Sequence, residues 1–297
     1  MTSSIEKYRK AGRVVGTALQ AGATMVDENV TYLEVAERME DMICEEAAMA
    51  FPVNVSVNEV AAHYTPEPGD ERCFKTGDLV KLDAGAHVDG YIGDAAVTVS
   101  VGDGHGELIE TAQLALRAAI DMVRAGVTIA ELGRCIEDAV TERGFRPVEN
   151  LQGHSLERYS LHAGLSIPSV ANDNTRRLRE GEVIAIEPFS TDGAGRVVNG
   201  DNGNIYHMVG RGRGKTARAI RQRFNGLPFA SRWMTDIVPE RRIDMSLAFL
   251  ERRRVVRPYS MLVETADGMV AQAEHTLLVT DDGCEVLTVP EDAHGAA

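Results

Sequence analysis

Gly77-Asp78-Leu79-Val80-Lys81-Leu82-Asp83 has a counterpart later in the chain, Gly181-Glu182-Val183-Ile184-Ala185-Ile186-Glu187. Each is a turn followed by a strand-like apolar run. Each ends on a carboxylate six residues after its glycine. A second pair follows in the same order. Asp94-Ala95-Ala96-Val97-Thr98-Val99 resembles Glu274-His275-Thr276-Leu277-Leu278-Val279, and in both a carboxylate opens an apolar, β-branched strand. Two matched pairs in one order point to an internal duplication. Each half of the chain offers two strands, and each strand carries one carboxylate.

The helical segments repeat as well. Thr31-Tyr32-Leu33-Glu34 and Thr128-Ile129-Ala130-Glu131 are both Thr-x-x-Glu, the pattern of a capping box in which Thr and Glu satisfy free N–H groups at a helix start. Apolar residues then recur at three-to-four spacing, as at Val35, Met39 and Ile43 and from Leu132 to Val140. A longer helix is expected from about Glu107 to Ala125, before the second box. The expected class is therefore α/β (α+β): sheets bearing carboxylates, covered by helices.

Spacing separates the halves. Asp83 and Asp94 are 11 residues apart. A hairpin loop over His87 to Gly90 would set them directly opposite, with Cβ atoms about 4.5–5.5 Å apart. Two like charges so close need a neutralising cation. Glu187 and Glu274 are 87 residues apart, so an insertion, about 203–264, separates their strands. Helices near Thr216–Phe224 and Arg241–Arg253 make it a small helical subdomain carried by a single main domain spanning 1–297.

The 297 residues are 44% hydrophobic and 26% charged, a globular balance that excludes a disordered chain. No apolar run approaches the roughly 18–20 residues of a membrane span, and residues 1–7 lack signal-peptide order. The expected location is the cytoplasm, without membrane association. Cys44, Cys73, Cys135 and Cys284 form no Cys-x-x-Cys pair, so they are read as reduced, partly buried thiols. The formal net charge is −14 with lysine only at positions 7, 10, 75, 81 and 215. Such a surface repels nucleic acid overall and suits a salty cytoplasm.

The four carboxylates are joined by His154 in Leu151-Gln152-Gly153-His154-Ser155-Leu156. An oxygen-rich set with one imidazole suits Mn, Fe, Co or Zn better than a structural zinc, and four carboxylates nearly neutralise two divalent cations. Spacing alone leaves open a second reading, in which these are acidic strand ends facing water.

Longer motifs resemble a known family. They are Ala61-Ala62-His63-Tyr64-Thr65-Pro66, Lys81-Leu82-Asp83 with Asp89-Gly90-Tyr91-Ile92-Gly93-Asp94, Gly153-His154-Ser155-Leu156, Ile186-Glu187-Pro188-Phe189 and Ala271-Gln272-Ala273-Glu274-His275-Thr276. In order and spacing they are similar to the methionine aminopeptidases. Leu227-Pro228-Phe229-Ala230-Ser231-Arg232-Trp233 resembles the insertion that marks the type II, archaeal–eukaryotic form. The resemblance implies the pseudo-two-fold pita-bread fold and a hydrolase, a metallo-exopeptidase that removes the initiator methionine of nascent polypeptides when the second residue is small.

The resemblance also implies roles. Asp83 and Asp94 would hold one of two divalent cations (Co, Mn, Fe or Zn), Asp94 and Glu274 would bridge both, and His154 and Glu187 would complete the second. A bridging hydroxide would attack the peptide carbonyl, with Glu187 shuttling its proton. His162 would donate to the oxyanion and His63 would contact substrate near the scissile bond. Phe51, His63, His162 and Tyr259 would line the methionine pocket. The alternatives are a prolidase or aminopeptidase P, and a non-catalytic pita-bread binding protein. A monomer is expected.

Other features carry less. His87, His105 and His294 stand outside any motif and are read as structural. His275 is expected to support the sheet, and His207 lies at the start of the insertion. Gly210-Arg211-Gly212-Arg213-Gly214-Lys215-Thr216 lacks the first glycine of a phosphate loop, because that position is Val209. With Arg218, Arg221 and Arg223 it forms a basic cluster in an acidic chain. It reads as a solvated helix face or, more sharply, as a ribosome contact through Arg218, Arg221 and Arg223.

Overall fold

The computed structural model describes residues 3–290, so His294 lies outside the described residues. Two helices come first, α1 (Ser4–Met25) and α2 (Tyr32–Glu46), started by Ser3 and Thr31, whose side chains accept the Glu6 and Glu34 N–H groups. Strands β1 (Ala48–Val57), β2 (Val60–Ala62), β3 (Leu79–Val88) and β4 (Tyr91–Ser100) follow. The second half opens with α3 (Gly106–Met122) and α4 (Ile129–Thr141). Short strands come next: β5 (Arg146–Pro147), β6 (Gln152–Ser155), β7 (Ser166–Pro168), β8 (Val183–Ile186) and β9 (Phe189–Thr191). A long strand, β10 (Val197–Met208), leads to α5 (Lys215–Phe224), β11 (Phe229–Ala230), 3-10 turns at Ser231–Asp236 and Glu240–Arg242, and α6 (Ile243–Arg252). Strands β12 (Val256–Glu264), β13 (Val270–Gln272), β14 (His275–Val279) and β15 (Cys284–Val286) complete the described chain.

Three local expectations need correction. Only Thr128 and Glu131 form the reciprocal box; at Thr31 one bond of the pair is made. Helix α3 stops at Met122 rather than Ala125, because the chain extends at Val123 and Gly126 turns with φ +93°. The span 203–264 is not helical throughout, since it includes the end of β10 and all of β12, which pair in one sheet with β11 and β2. Helices α5 and α6 lie between those strands and bury Ala217, Ile220, Leu247 and Leu250 in an apolar cluster with Phe229 and Met234. Of the thiols, Cys44 is exposed and the other three are partly buried.

The hairpin β3–β4 decides the geometry of the first carboxylates. Val88 pairs with Tyr91, leaving the two-residue turn Asp89-Gly90 with φ +52° and +89°. Positive φ at both positions is the type I′ turn that Asp-Gly favours. The register therefore pairs Gly85 with Asp94 and Asp83 with Ala96. The expected direct opposition of Asp83 and Asp94 is thus corrected: the tighter turn makes them diagonal neighbours on one face. Gly85 leaves room for the Phe51 ring, which a Cβ there would approach to 2.1 Å.

One sheet has the order β1-β3-β4 and another β15-β14-β8-β6-β7. An antiparallel bridge between Ala96 and Glu274 joins them. Helices α1 and α2 bury Val15, Leu19, Met39 and Ile43 against Val80 and Leu82 of the first sheet. Helices α3 and α4 bury Leu108, Leu116, Leu132 and Ile136 against Ile184, Ile186 and Leu277 of the second. Each such side chain contributes about 1.5–3 kcal/mol, so the opposite sheet faces are left to meet at the seam, where the carboxylates lie. No helix of the described residues is long and apolar enough to cross a membrane.

Candidate metal centre

Strand β3 supplies Asp83 and strand β4 supplies Asp94. His154 stands on β6, opposite Ala185 of β8, and Glu187 follows one residue beyond β8. Glu274 immediately precedes β14. Ligand atoms of Asp94, His154 and Glu274 lie within 4.8 Å of one another. His154 Nε2 is 3.6 Å from Asp94 Oδ2 and 3.4 Å from Glu187 Oε1, longer than ordinary hydrogen bonds. All five side chains line one cavity of about 230 Å³.

Burial dominates the electrostatics. It pushes the Asp83 carboxyl up to about 7. Asp94 is raised well above the ordinary carboxylate range by burial and then by the charge of Asp83. Glu187 and Glu274 are raised likewise, by burial first and then by Asp94 and the other carboxylates. Burial, with His162 beside it, holds His154 down to about 3, so its imidazole is neutral and can ligate. Among the described residues no lysine or arginine forms an ion pair with any of the four carboxylates. Lys81, fully buried nearby, donates instead to the Asn58 carbonyl at 2.7 Å. Asp83 Oδ1 is buried with no hydrogen-bond partner there. Four carboxylates without a protein cation, Asp94 and Glu274 buried and Asp83 and Glu187 half-buried, beside a neutral imidazole, fit divalent cations of intermediate softness.

The rest of the cavity wall carries the expected pocket residues. Phe51, His63, His162 and Tyr259 all line it. The His63 and Tyr259 rings meet edge-on at 5.0 Å, and the His154 and His162 rings lie 4.4 Å apart. Burial, then His162, lowers His63 to about 4, and burial lowers His162, so both rings are neutral. The loop bearing His162 rests on the β3–β4 turn: the Tyr159 N–H donates to the Gly90 carbonyl at 2.8 Å and Arg158 Nε to the Asp89 carbonyl at 2.9 Å.

Some residues escaped the sequence reading. Gln272 Nε2 donates to Glu274 Oε2 at 3.2 Å, and Gln272 is itself fixed by Thr98, whose hydroxyl donates to its carbonyl at 2.6 Å. Its place two residues before Glu274, on the same side of an extended segment, was the available signal. Leu161, Ile205, Pro228 and Leu262 add apolar lining that no periodicity announces.

The remaining histidines are peripheral. His87 Nδ1 accepts the Gly90 N–H at 3.1 Å. His105 caps α3 with φ +56°, and its Nε2 lies 3.1 Å from the Gly77 carbonyl. His275 Nδ1 lies 2.8 Å from Thr288 Oγ1. His207 backs Tyr259 at 4.7 Å between ring centres without itself lining the cavity. In the basic cluster, Arg223 pairs with Asp236 at 2.6 Å and Arg221 Nη2 bonds the Gly212 carbonyl at 3.4 Å. Two of the three arginines expected to reach outward are thus engaged within the chain.

Residues 6–281 match metallopeptidase family M24. The chain is 44% identical to the methionine aminopeptidase of Methanothermobacter thermautotrophicus, over 97% of this chain and 100% of that protein. It is 45% identical to that of Archaeoglobus fulgidus, over 95% and 98%. Among solved structures, the methionine aminopeptidase of Thermotoga maritima aligns with a TM-score of 0.72 at 26% identity, covering 97% of this chain and 98% of that one. With its pita-bread fold and its carboxylate cluster, the chain belongs to metallopeptidase family M24, among the methionine aminopeptidases.

Proposed function

We propose that the chain removes the N-terminal methionine of newly made polypeptides whose second residue is small, and that Asp83, Asp94, His154, Glu187 and Glu274 hold two divalent cations (Co, Mn, Fe or Zn) for that hydrolysis. The observation that carries this reading is the joining of two surfaces in one cavity: the carboxylate cluster on one wall, and Phe51, His63, Leu161, Ile205, Tyr259 and Leu262 on the other. At about 230 Å³ the space is smaller than the roughly 300–1,000 Å³ of sites that engulf larger ligands. Such a space suits one amino-acid side chain beside the carboxylate cluster.

When bound, divalent cations supply Lewis acidity, lowering the pKa of water and polarising a carbonyl. The chain's own groups do the rest. Glu187 takes the proton of the attacking water at a carboxylate oxygen and passes it to the leaving amine nitrogen. His162, neutral through burial, donates a ring N–H to the carbonyl oxygen as it gains charge. His63 and Tyr259 close the pocket over the methionine side chain. The following residue lies against the cluster, where bulk displaces the carbonyl, and a misplacement of about 1 Å can cost roughly 10²-fold in rate.

The test is release of free methionine from Met-Gly-, Met-Ala-, Met-Leu- and Met-Lys-peptides by metal-reconstituted enzyme, with Leu-Gly- peptide and Xaa-Pro dipeptides alongside. Cleavage confined to the first two supports the reading. Efficient cleavage of Met-Leu- or Leu-Gly- peptides makes the chain a broad aminopeptidase, and cleavage of Xaa-Pro dipeptides makes it a prolidase. No observation favours the prolidase or the non-catalytic alternative.

Cytoplasmic location and a monomeric state belong to the same proposal. For a ribosome contact, exposed Arg211, Arg213, Arg252, Arg253 and Arg254 are better placed than Arg221 and Arg223, since they surround one surface cavity beside Met245 and Phe249. Salt-dependent co-sedimentation with ribosomes, lost on reversing these charges, is the measurement.

A further inference from the structure

His63 takes a left-handed backbone conformation, φ +68°, although it is not glycine. Such a conformation persists only where surrounding structure fixes it. The fixing comes from the inserted segment. Arg232, on the turn Ser231–Asp236, is buried at 7% exposure and reaches across to the N-terminal half. Its Nη1 donates to Thr65 Oγ1 at 2.7 Å and to the Pro66 carbonyl at 2.8 Å, and its Nη2 donates to the Glu40 carboxylate. Thr65 and Pro66 follow His63 by two and three residues.

The same buried group also grips the strand that carries Phe51. Glu40 Oε1 accepts the Val53 N–H at 3.1 Å, and the Thr65 hydroxyl donates to the Val53 carbonyl at 2.7 Å. Both backbone groups of Val53, two residues beyond Phe51, are thereby tied down. Trp233 Nε1 holds the second oxygen of Glu40 at 2.8 Å. From the stem of the insertion, the Gly203 carbonyl accepts the Thr65 N–H at 3.0 Å and Asn204 Nδ2 donates to the Thr65 carbonyl at 3.1 Å. Phe51 and His63 line the same cavity but are joined through this node.

We propose that Arg232 is a positioning residue for the substrate pocket: through Glu40, Thr65 and Pro66 it sets the two segments that present Phe51 and His63 to the bound side chain. None of these groups approaches the carboxylate cluster closely enough to bond it, so the effect falls on recognition rather than on metal. A planar guanidinium serves three acceptors at once, which a lysine ammonium cannot do in the same place.

The proposal rests on the methionine-removing function given above. Metal-loaded wild type and the variants Arg232→Lys, Thr65→Val and Thr65→Ser are compared on Met-Ala-Ser and Leu-Ala-Ser peptides, with metal content and thermal unfolding measured on each. Arg232→Lys retains a cation for Glu40, and Thr65→Val retains the ion pair but loses the hydroxyl between the two segments. Each is expected to raise KM for Met-Ala-Ser about 10-fold with kcat within about 3-fold, and to cut the preference for Met over Leu about 10-fold, given that about 1 Å of misplacement can cost roughly 10²-fold. Thr65→Ser keeps the hydroxyl and should restore the preference. Metal content should stay at the wild-type level. Arg223→Ala, which breaks an exposed ion pair of the insertion, should leave every value unchanged. The proposal is overturned if the preference stays intact while activity merely follows the folded fraction, or if Arg223→Ala acts like Arg232→Lys. Cleavage of neither peptide by wild type removes the functional reading and this proposal with it.

Discussion

Asp94 and Thr276 are bonded to each other twice across the seam between the two sheets. The Asp94 N–H donates to Thr276 Oγ1 at 2.9 Å, and the Thr276 hydroxyl donates back to the Asp94 carbonyl at 2.7 Å. One hydroxyl thus fixes the backbone of an acidic residue in the first half against the strand that begins just after Glu274. The two carboxylates are held together by main-chain geometry, whatever occupies the space between them.

That arrangement separates folding from metal binding. Asp94→Ala or Glu274→Ala should leave the seam intact and remove a ligand. Secondary structure by circular dichroism should be preserved. Bound metal, measured by mass spectrometry, and turnover should fall together, by more than about 100-fold, since even outer partners of ligands cost 10–100-fold. Near-normal turnover of either variant in excess metal would end the proposal that these carboxylates hold the cations.

Gln272→Ala tests such an outer partner. It removes the amide that donates to Glu274. Metal affinity or turnover should drop about 10–100-fold, read by titration calorimetry on the stripped protein. Unchanged affinity and rate would reduce Gln272 to sheet support.

His162→Ala should lower kcat about 10²–10³-fold with little change in KM, because a donor aimed at developing charge acts mainly in the transition state. A steep rise in KM at constant kcat would assign His162 to the pocket wall alone.

The pH dependence of the metal-free protein has a definite sign at Asp83. An unfolded aspartate titrates near about 3.9, whereas burial holds the folded Asp83 up to about 7. Between those values the folded state binds the extra proton, so this carboxyl subtracts stability progressively as pH rises through the window. Buried histidines such as His154 and His63 act in the opposite direction, since burial lowers them. Asp83→Asn removes this carboxyl together with the charge by which it raises Asp94, Glu187 and Glu274. Metal-stripped Asp83→Asn should gain in Tm over stripped wild type as pH rises from about 4 to about 7. A difference that shrinks over that range would contradict the assignment.

Gly85→Val tests the seat of Phe51. A Cβ at Gly85 would lie 2.1 Å from the ring, so the ring must move. KM for Met-Ala- peptides should rise about 10-fold or more, because misplacement of about 1 Å can cost up to roughly 10²-fold, while metal content stays constant. An unchanged KM would show that Phe51 is not part of the substrate wall.

Much of the centre was legible because each carboxylate borders an apolar run and a turn glycine fixes the count to Asp83 and Glu187, although Asp83 and Asp94 lie inside β3 and β4 rather than at strand ends. What failed was register. Asp89-Gly90 was visible as a turn pair, but a loop from His87 to Gly90 was expected, and two residues of loop decide whether Asp83 and Asp94 stand opposite or diagonal. Gln272 was passed over because an amide carries no charge to mark it. The pairing of Arg223 with Asp236 joins α5 to the turn Ser231–Asp236, and charge counts along the chain cannot show it. The helical periods of α5 and α6 were clear, yet β10 and β12 escaped notice: Asn199, Gly200, Asp201, Asn202, Gly203 and Asn204 carry no apolar alternation, and β10 is held as a strand by its partner.

The bridge between Ala96 and Glu274 also bears on the order of events during synthesis. Residues 178 positions apart along the chain must meet before the seam exists. Contacts of such long range form slowly, because loop-closure entropy is lost before they reward it. A chain emerging residue by residue presents Asp83, Asp94, His154 and Glu187 well before Glu274, Gln272 and Thr276 appear. The last carboxylate of the cluster and both residues that steady the seam thus arrive together, some 85 to 89 residues after Glu187. A growing copy of the enzyme has an incomplete donor set until Glu274 has been made, and so cannot act before then as a peptidase on the chains being made around it.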